Sequence, residues 1–179
     1  GVIAIIITIM VLELKVPHGT DFSALQELWP VFLSYVLSFV FVGIYWNNHH
    51  HTFHAVKHVS AGVLWANLNL LFWLSLLPFT TGWMGENHFA SLPVAIYGVN
   101  LLFCAIAYTI LIRTIISTHG KESAFAKAVG SDRKGIMSLV CYIIAIPLAF
   151  YFPVASGALF AIVSLIWLVP DRRMEKAIS

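Results

Sequence analysis

Four histidines crowd the stretch Trp46-Asn47-Asn48-His49-His50-His51-Thr52-Phe53-His54, with His58 four residues further on. His50, His54 and His58 recur at i, i+4 and i+8, the spacing that lines imidazoles along one helical face, where they could hold a transition metal. A membrane di-iron oxygenase needs several such clusters with carboxylates in reach. This chain has one cluster and no carboxylate pair near it in sequence, so no metal site is expected. Two readings remain. One is an interfacial histidine cluster, partly solvated and partly hydrogen-bonded to polar residues such as Asn69. The other is a pH sensor, because an unperturbed imidazole titrates near ~6.5.

Other reactive chemistry is sparse. No nucleophile elbow, phosphate-binding glycine loop or HExxH occurs. Cys104 and Cys141 lie inside apolar runs without CxxC spacing, which argues against both a disulfide framework and a zinc site. Neither an enzyme nor a cofactor is expected. Intramembrane ionisable residues, the usual mark of a pump or transporter, are nearly absent, with Glu13 at the outer edge of the first apolar run. The paired broken helices of a secondary transporter and the Thr-Val-Gly-Tyr-Gly potassium filter are also missing. A pore in this chain has to be made another way.

The elements that carry these residues belong to a membrane protein. Hydrophobic residues make up 60% of the 179, charged residues 10%, and the mean hydropathy is +0.88; soluble domains carry about 25% charge. Apolar runs continue to the end, unlike a signal peptide followed by a soluble chain. A net charge of +2, scattered over short loops, gives no case for a nucleic-acid partner. Trp29, Trp83 and Trp167, near the ends of runs, suit interfacial anchoring, whereas Trp65 and Trp73 lie within one.

Turn and cap signals divide the chain, taken as a single domain over 1–179, into six apolar spans at about 1–15, 29–55, 61–83, 92–116, 135–152 and 154–170. Asp21 and Ser23 could cap a short segment before the second span, Ser131 or Asp132 the fifth, and Pro147 breaks the fifth. With six spans and a cytoplasmic upstream end, Lys57, Arg113, Lys121, Lys127, Arg133, Lys134, Arg172, Arg173 and Lys176 all fall on the cytoplasmic side. Only Lys15 falls outside. Losing one span would scatter the later charges, so both termini are expected in the cytoplasm.

The first span, Gly1 to Leu14, is apolar all round, with one hydroxyl and a carboxylate near its end. Its fourteen residues extend roughly 21 Å, short of a ~30 Å hydrocarbon core, so the chain is expected to begin inside its first helix, with on the order of six residues upstream. At 100° per residue, Gly1, Ile5, Thr8, Ile9 and Leu12 share a stripe about 100° wide. From periodicity alone this is a lipid-facing or bundle-packed helix.

Three stretches carry a resemblance. The opening run is similar to the first helix of the bacterial branch of the transmembrane protein 175 family of potassium channels. Trp46-Asn47-Asn48-His49 with Phe53 matches the family's Trp-x-x-His-x-x-x-Phe, and Asn69-Leu70-Leu71 with Leu76-Leu77-Pro78-Phe79 agrees with its third helix. The family's arginine and Phe-Ser-Asp signature would lie immediately before Gly1. The resemblance implies an all-α membrane protein with six transmembrane helices per subunit, a homotetramer whose central pore is lined by the first helix. It implies a leak-type, potassium-selective cation channel in a bacterial cell membrane, passing potassium and other monovalent cations. Ile5, Ile9 and Leu12 would form apolar gate rings and Thr8 the hydroxyl ring that favours potassium. His49, with the upstream Ser and Asp and a polar residue of the third helix, would brace the pore helix; Trp46 and Asn69 are the other residues placed in that network. The rival reading is a non-conducting membrane scaffold or a histidine-dependent membrane enzyme, with the first helix as ordinary packing.

Overall fold

The computed structural model describes residues 1–56, 58–120, 122–130 and 132–168. Every regular element among them is an α-helix: α1 (Val2–Leu12), α2 (Phe22–Glu27), α3 (Trp29–His54), α4 (Ala61–Ser75), α5 (Leu77–Glu86), α6 (Ser91–His119), α7 (Ala124–Val129), α8 (Arg133–Leu148) and α9 (Pro153–Leu168). Three apolar stretches are long enough to cross a membrane: α3, the run Ala61–Glu86 formed by α4 and α5, and α6. At ~1.5 Å per residue the 26 residues of α3 extend about 39 Å, more than the hydrocarbon thickness. α1 and α9 are apolar but shorter, and α8 has 16 residues.

Local chemistry sets several of the helix ends. α3 opens on Trp29-Pro30, where proline's missing N–H would have had no helical partner anyway. Ser60 Oγ accepts from Val63 N at 3.4 Å to cap α4. Of the two expected caps for α8, Asp132 is the one in place, its Oδ1 accepting from Gly135 N at 2.8 Å; Ser131 lies outside the described residues. Pro147 falls one residue before the end of α8, too late to break it. Residues 169–179, with Arg172, Arg173 and Lys176, also lie outside the described residues, as do Lys57 and Lys121.

The third expected span is two helices meeting at Leu76. Pro78 cannot donate to the Leu74 carbonyl, so the ladder is interrupted there. A side chain from α6 fills the break. The Asn100 amide, oriented to satisfy its surroundings, donates to the Trp73 carbonyl at 3.0 Å and accepts from Leu77 N at 3.3 Å and from Thr80 Oγ1 at 3.2 Å. Backbone groups that helical pairing leaves open are thus met inside the protein, as a lipid environment requires.

α6 is the most buried of the three long stretches and packs against α4, α5, α8 and α9. Close approach depends on glycine at two points. A Cβ on Gly85 of α5 would collide with Ser34 Oγ and lie 2.8 Å from the Val31 Cα of α3; one on Gly98 of α6 would lie 2.7 Å from Phe160 Cζ of α9. Between α3, α5 and α6 runs a buried hydroxyl relay, in which Thr81 Oγ1 donates to Ser38 Oγ at 2.7 Å and Ser38 Oγ lies 2.9 Å from the Tyr97 hydroxyl.

Candidate functional site

α1 rests on α3, α4 and α5. Its inner face is Ile3, Ile6 and Met10, only 5%, 3% and 2% exposed, at the i, i+3, i+7 spacing of one helical face. The opposite face has no covering within the subunit. Ile5 is 58% exposed, Ile9 42% and Leu12 80%, and Gly1 and Thr8 are exposed beside them. The stripe read from helical geometry lies within the face that the subunit leaves uncovered, which also takes in Val2, Ala4 and Val11.

Thr8 is the one hydroxyl on that face. Its Oγ1 donates to the Ile5 carbonyl at 2.8 Å, one turn back. With its single proton used inward, the oxygen is left with lone pairs and no proton to offer. Toward the open side it is an acceptor, which suits a cation.

The elements behind α1 are joined by polar bonds. His49 Nε2 of α3 lies 2.7 Å from Asn67 Oδ1 of α4, and the His49 ring packs 4.6 Å from that of Phe53. The third-helix amide in this pair is Asn67 rather than the expected Asn69. Two residues are 200° apart on a helix, so with Asn67 turned to α3, Asn69 is exposed on the other side. Trp46 makes no bond to His49; it is exposed and stacks on His50 at 5.6 Å. At the other end of α1, Lys15 Nζ, outside the helices, lies 2.7 Å from Oε1 of Glu86, the last residue of α5. The hydrogen bond and charge of Glu86 raise the Lys15 pKa above the ordinary lysine value.

The expected three-histidine face does not form. α3 stops at His54, so His50 and His54 stack at 6.1 Å while His58 leaves the helix and its backbone N–H meets His119 Nε2 at 3.4 Å. Among the described residues no group of three or more His, Cys, Asp or Glu is arranged to hold a metal ion. Sequence reasoning missed the Asn100 bridge and the Ser38–Thr81–Tyr97 relay. The available signal was an amide and a phenol in the middle of an otherwise apolar run.

Residues 1–78 match a sequence model of the family described as endosomal/lysosomal potassium channel TMEM175. Over all 179 residues, and 93% of the relative's length, the chain is 52% identical to a potassium channel of Chryseobacterium sp. (strain P1-3). The chain belongs to the TMEM175 family. It is also 33% identical over 119 residues, 62% of this chain and 58% of the relative, to a potassium channel of Streptomyces collinus (strain DSM 40733 / Tue 365). Its fold is similar to the crystal structure of a lysosomal potassium-selective channel TMEM175 homolog from Chamaesiphon minutus, with a TM-score of 0.80 and 25% identity over 96% of this chain and 93% of that one. TMEM175 relatives are potassium channels rather than enzymes, which sets aside the histidine-dependent enzyme. Membership of this family, with its apolar membrane-length helices, makes the chain an integral membrane protein.

Proposed function

We propose that this chain is the subunit of a homotetrameric, leak-type potassium channel with α1 of each copy around the central axis. Ile5, Ile9 and Leu12 form apolar gate rings, and Thr8 forms the ring that favours potassium. The observation that carries this reading is the two-sidedness of α1: a helix apolar but for Thr8, with one face sunk among α3, α4 and α5 and the other bare. A bare apolar face on the helix with the family's pore-side resemblance is where identical copies would meet. An apolar ring of that kind blocks ions by staying dry until it widens.

The proposal includes six crossings per subunit, with α8 and α9 as a short helical hairpin, both termini cytoplasmic, and residence in a bacterial cell membrane. Conduction needs no cofactor beyond the permeant monovalent cations. His49, bonded to Asn67, holds α3 to α4 and so braces the seat of α1. The deciding experiment is reconstitution of the purified full chain in liposomes loaded with potassium. Potassium efflux that collapses the imposed gradient is expected. Correctly folded, tetrameric protein giving no efflux above empty liposomes would favour the non-conducting scaffold.

A further inference from the structure

Away from α1, a cavity of about 40 Å³ lies among α3, α6, α8 and α9. Its wall is largely aromatic, with Tyr45, Tyr108, Tyr142 and Trp167, and includes Asn48 and Asp132. Nothing in the conduction reading uses it. A space of this size holds water or one small polar group rather than remaining a dry packing fault, provided polar partners face it.

Such partners are present. Tyr142 is only 2% exposed, and its hydroxyl has no hydrogen-bond partner among the described residues. Tyr142 is one of the residues that line the cavity. Asp132 spends Oδ1 on the Gly135 N–H and leaves Oδ2 without a partner among the described residues. Asn48 adds an amide, likewise without one. Neither Arg133 nor Lys134 lines the cavity, and among the described residues the charged side chain on its wall is Asp132. Lys134 turns elsewhere, donating to the Ile166 carbonyl at 3.3 Å and lying 5.9 Å over the Trp167 ring.

We propose that this cavity binds a small primary ammonium ion. An ammonium head brings three donors and no acceptor, which matches a carboxylate oxygen, an amide oxygen and phenolic oxygens. Aromatic rings attract a cation through their π faces, and more strongly where it is desolvated. An anion would meet Asp132, and a neutral molecule would leave that carboxylate uncompensated. The volume limits the head to about the size of methylammonium, with any longer chain trailing past the partly exposed Asp132.

The test uses the detergent-purified full chain and methylammonium at constant ionic strength, read by saturation-transfer NMR from protein aromatic protons to the ligand methyl group. Neither Asp132 nor Tyr142 lies on α1, so transfer to methylammonium sitting in a pore would be unchanged by substitution at either residue. Saturable transfer is expected for the wild type. Asp132→Asn, which keeps an oxygen to cap Gly135, should bind at least tenfold more weakly with an unchanged melting temperature. Tyr142→Phe, which keeps the ring, should bind several-fold more weakly. The proposal is overturned by equal affinity in Asp132→Asn, by equal transfer to methanol, or by no saturable transfer to folded wild-type protein.

Discussion

His49 Nε2 and Asn67 Oδ1 stand 2.7 Å apart, and this bond joins α3 to α4, two of the three helices that seat α1. Asn67→Leu would leave an imidazole nitrogen half-buried without its partner, at a cost of ~1–3 kcal/mol. The melting temperature of the purified protein should fall, and potassium flux should change with it because the seat of α1 loosens. Asn69→Leu, on the exposed face, should lower the melting temperature far less. Equal effects of the two substitutions would show that the His49 pair is not what braces this region.

The Asn100 bridge leads to a second expectation. Asn100→Leu preserves bulk but strips the amide from the Trp73 carbonyl and the Leu77 N–H at the α4–α5 break. No water competes for these groups in a membrane interior, so the loss should again be about 1–3 kcal/mol or more. Hydrogen exchange at Leu77 provides the local readout. Its amide should exchange faster in the variant, while amides in α9 keep their wild-type protection.

The Lys15–Glu86 pair makes a prediction about pH. Because Lys15 is raised above the ordinary lysine value by Glu86, its contribution to stability is complete below that value and is lost as pH rises through the raised one. Lys15→Met should therefore lower the melting temperature by the same amount at pH 7 and pH 8.5, and by less once the pH has passed the raised value. Both groups are largely exposed, so the difference should also shrink in high salt.

What could be read from the sequence, and what could not, divides along a physical line. Long apolar runs announce α3 and α6, and the His49 to Phe53 spacing marks one helical face. Facing is harder wherever a helix is apolar all round. Asn67 and Asn69 sit in such a helix, and periodicity has no polar side against which to tell which amide turns inward. Pro78 was visible, yet proline starts a helix as readily as it ends one, and only the amide supplied by α6 shows that it divides Ala61–Glu86. His58 fell outside the expected face because α3 stops at His54 with Ala55 as its cap, where no glycine or proline signals the end. For α1, the 3.6-residue period gave a stripe that lies within a broader exposed face, because burial of Ile3, Ile6 and Met10 leaves Val2, Ala4 and Val11 exposed along with Ile5, Thr8, Ile9 and Leu12.

The proposed six crossings with cytoplasmic termini would place the Glu122 loop inside the cell, together with nine of the ten basic residues. A single cysteine at Glu122, in a background lacking Cys104 and Cys141, should react with an impermeant maleimide only after the cells are opened. A second cysteine protein, carrying the change at His18, should label in intact cells. Labelling of the Glu122 site from outside would remove one crossing from the count.

The conduction path itself is tested at Ile5 and Thr8. With four copies of α1 around one axis, each apolar ring asks a cation to shed water with nothing to replace it. Even the lower estimates for a charge at a bilayer centre, roughly 2.5–3.5 kcal/mol, slow passage by about two orders of magnitude. Ile5→Asn puts amides where the alkyl groups stood, and should keep the ring wet, raise single-channel conductance and weaken discrimination among cations. Thr8→Ala acts on a different property. It removes the oxygen whose proton is tied to the Ile5 carbonyl and whose lone pairs remain open, while adding no polarity to the gate. The reversal potential under a potassium–sodium gradient should therefore move toward zero, with conductance no higher than in the wild type. Planar-bilayer recordings separate the two outcomes. Wild-type conductance and reversal potential in both variants, with tetramers assembled, would mean that ions do not pass along α1.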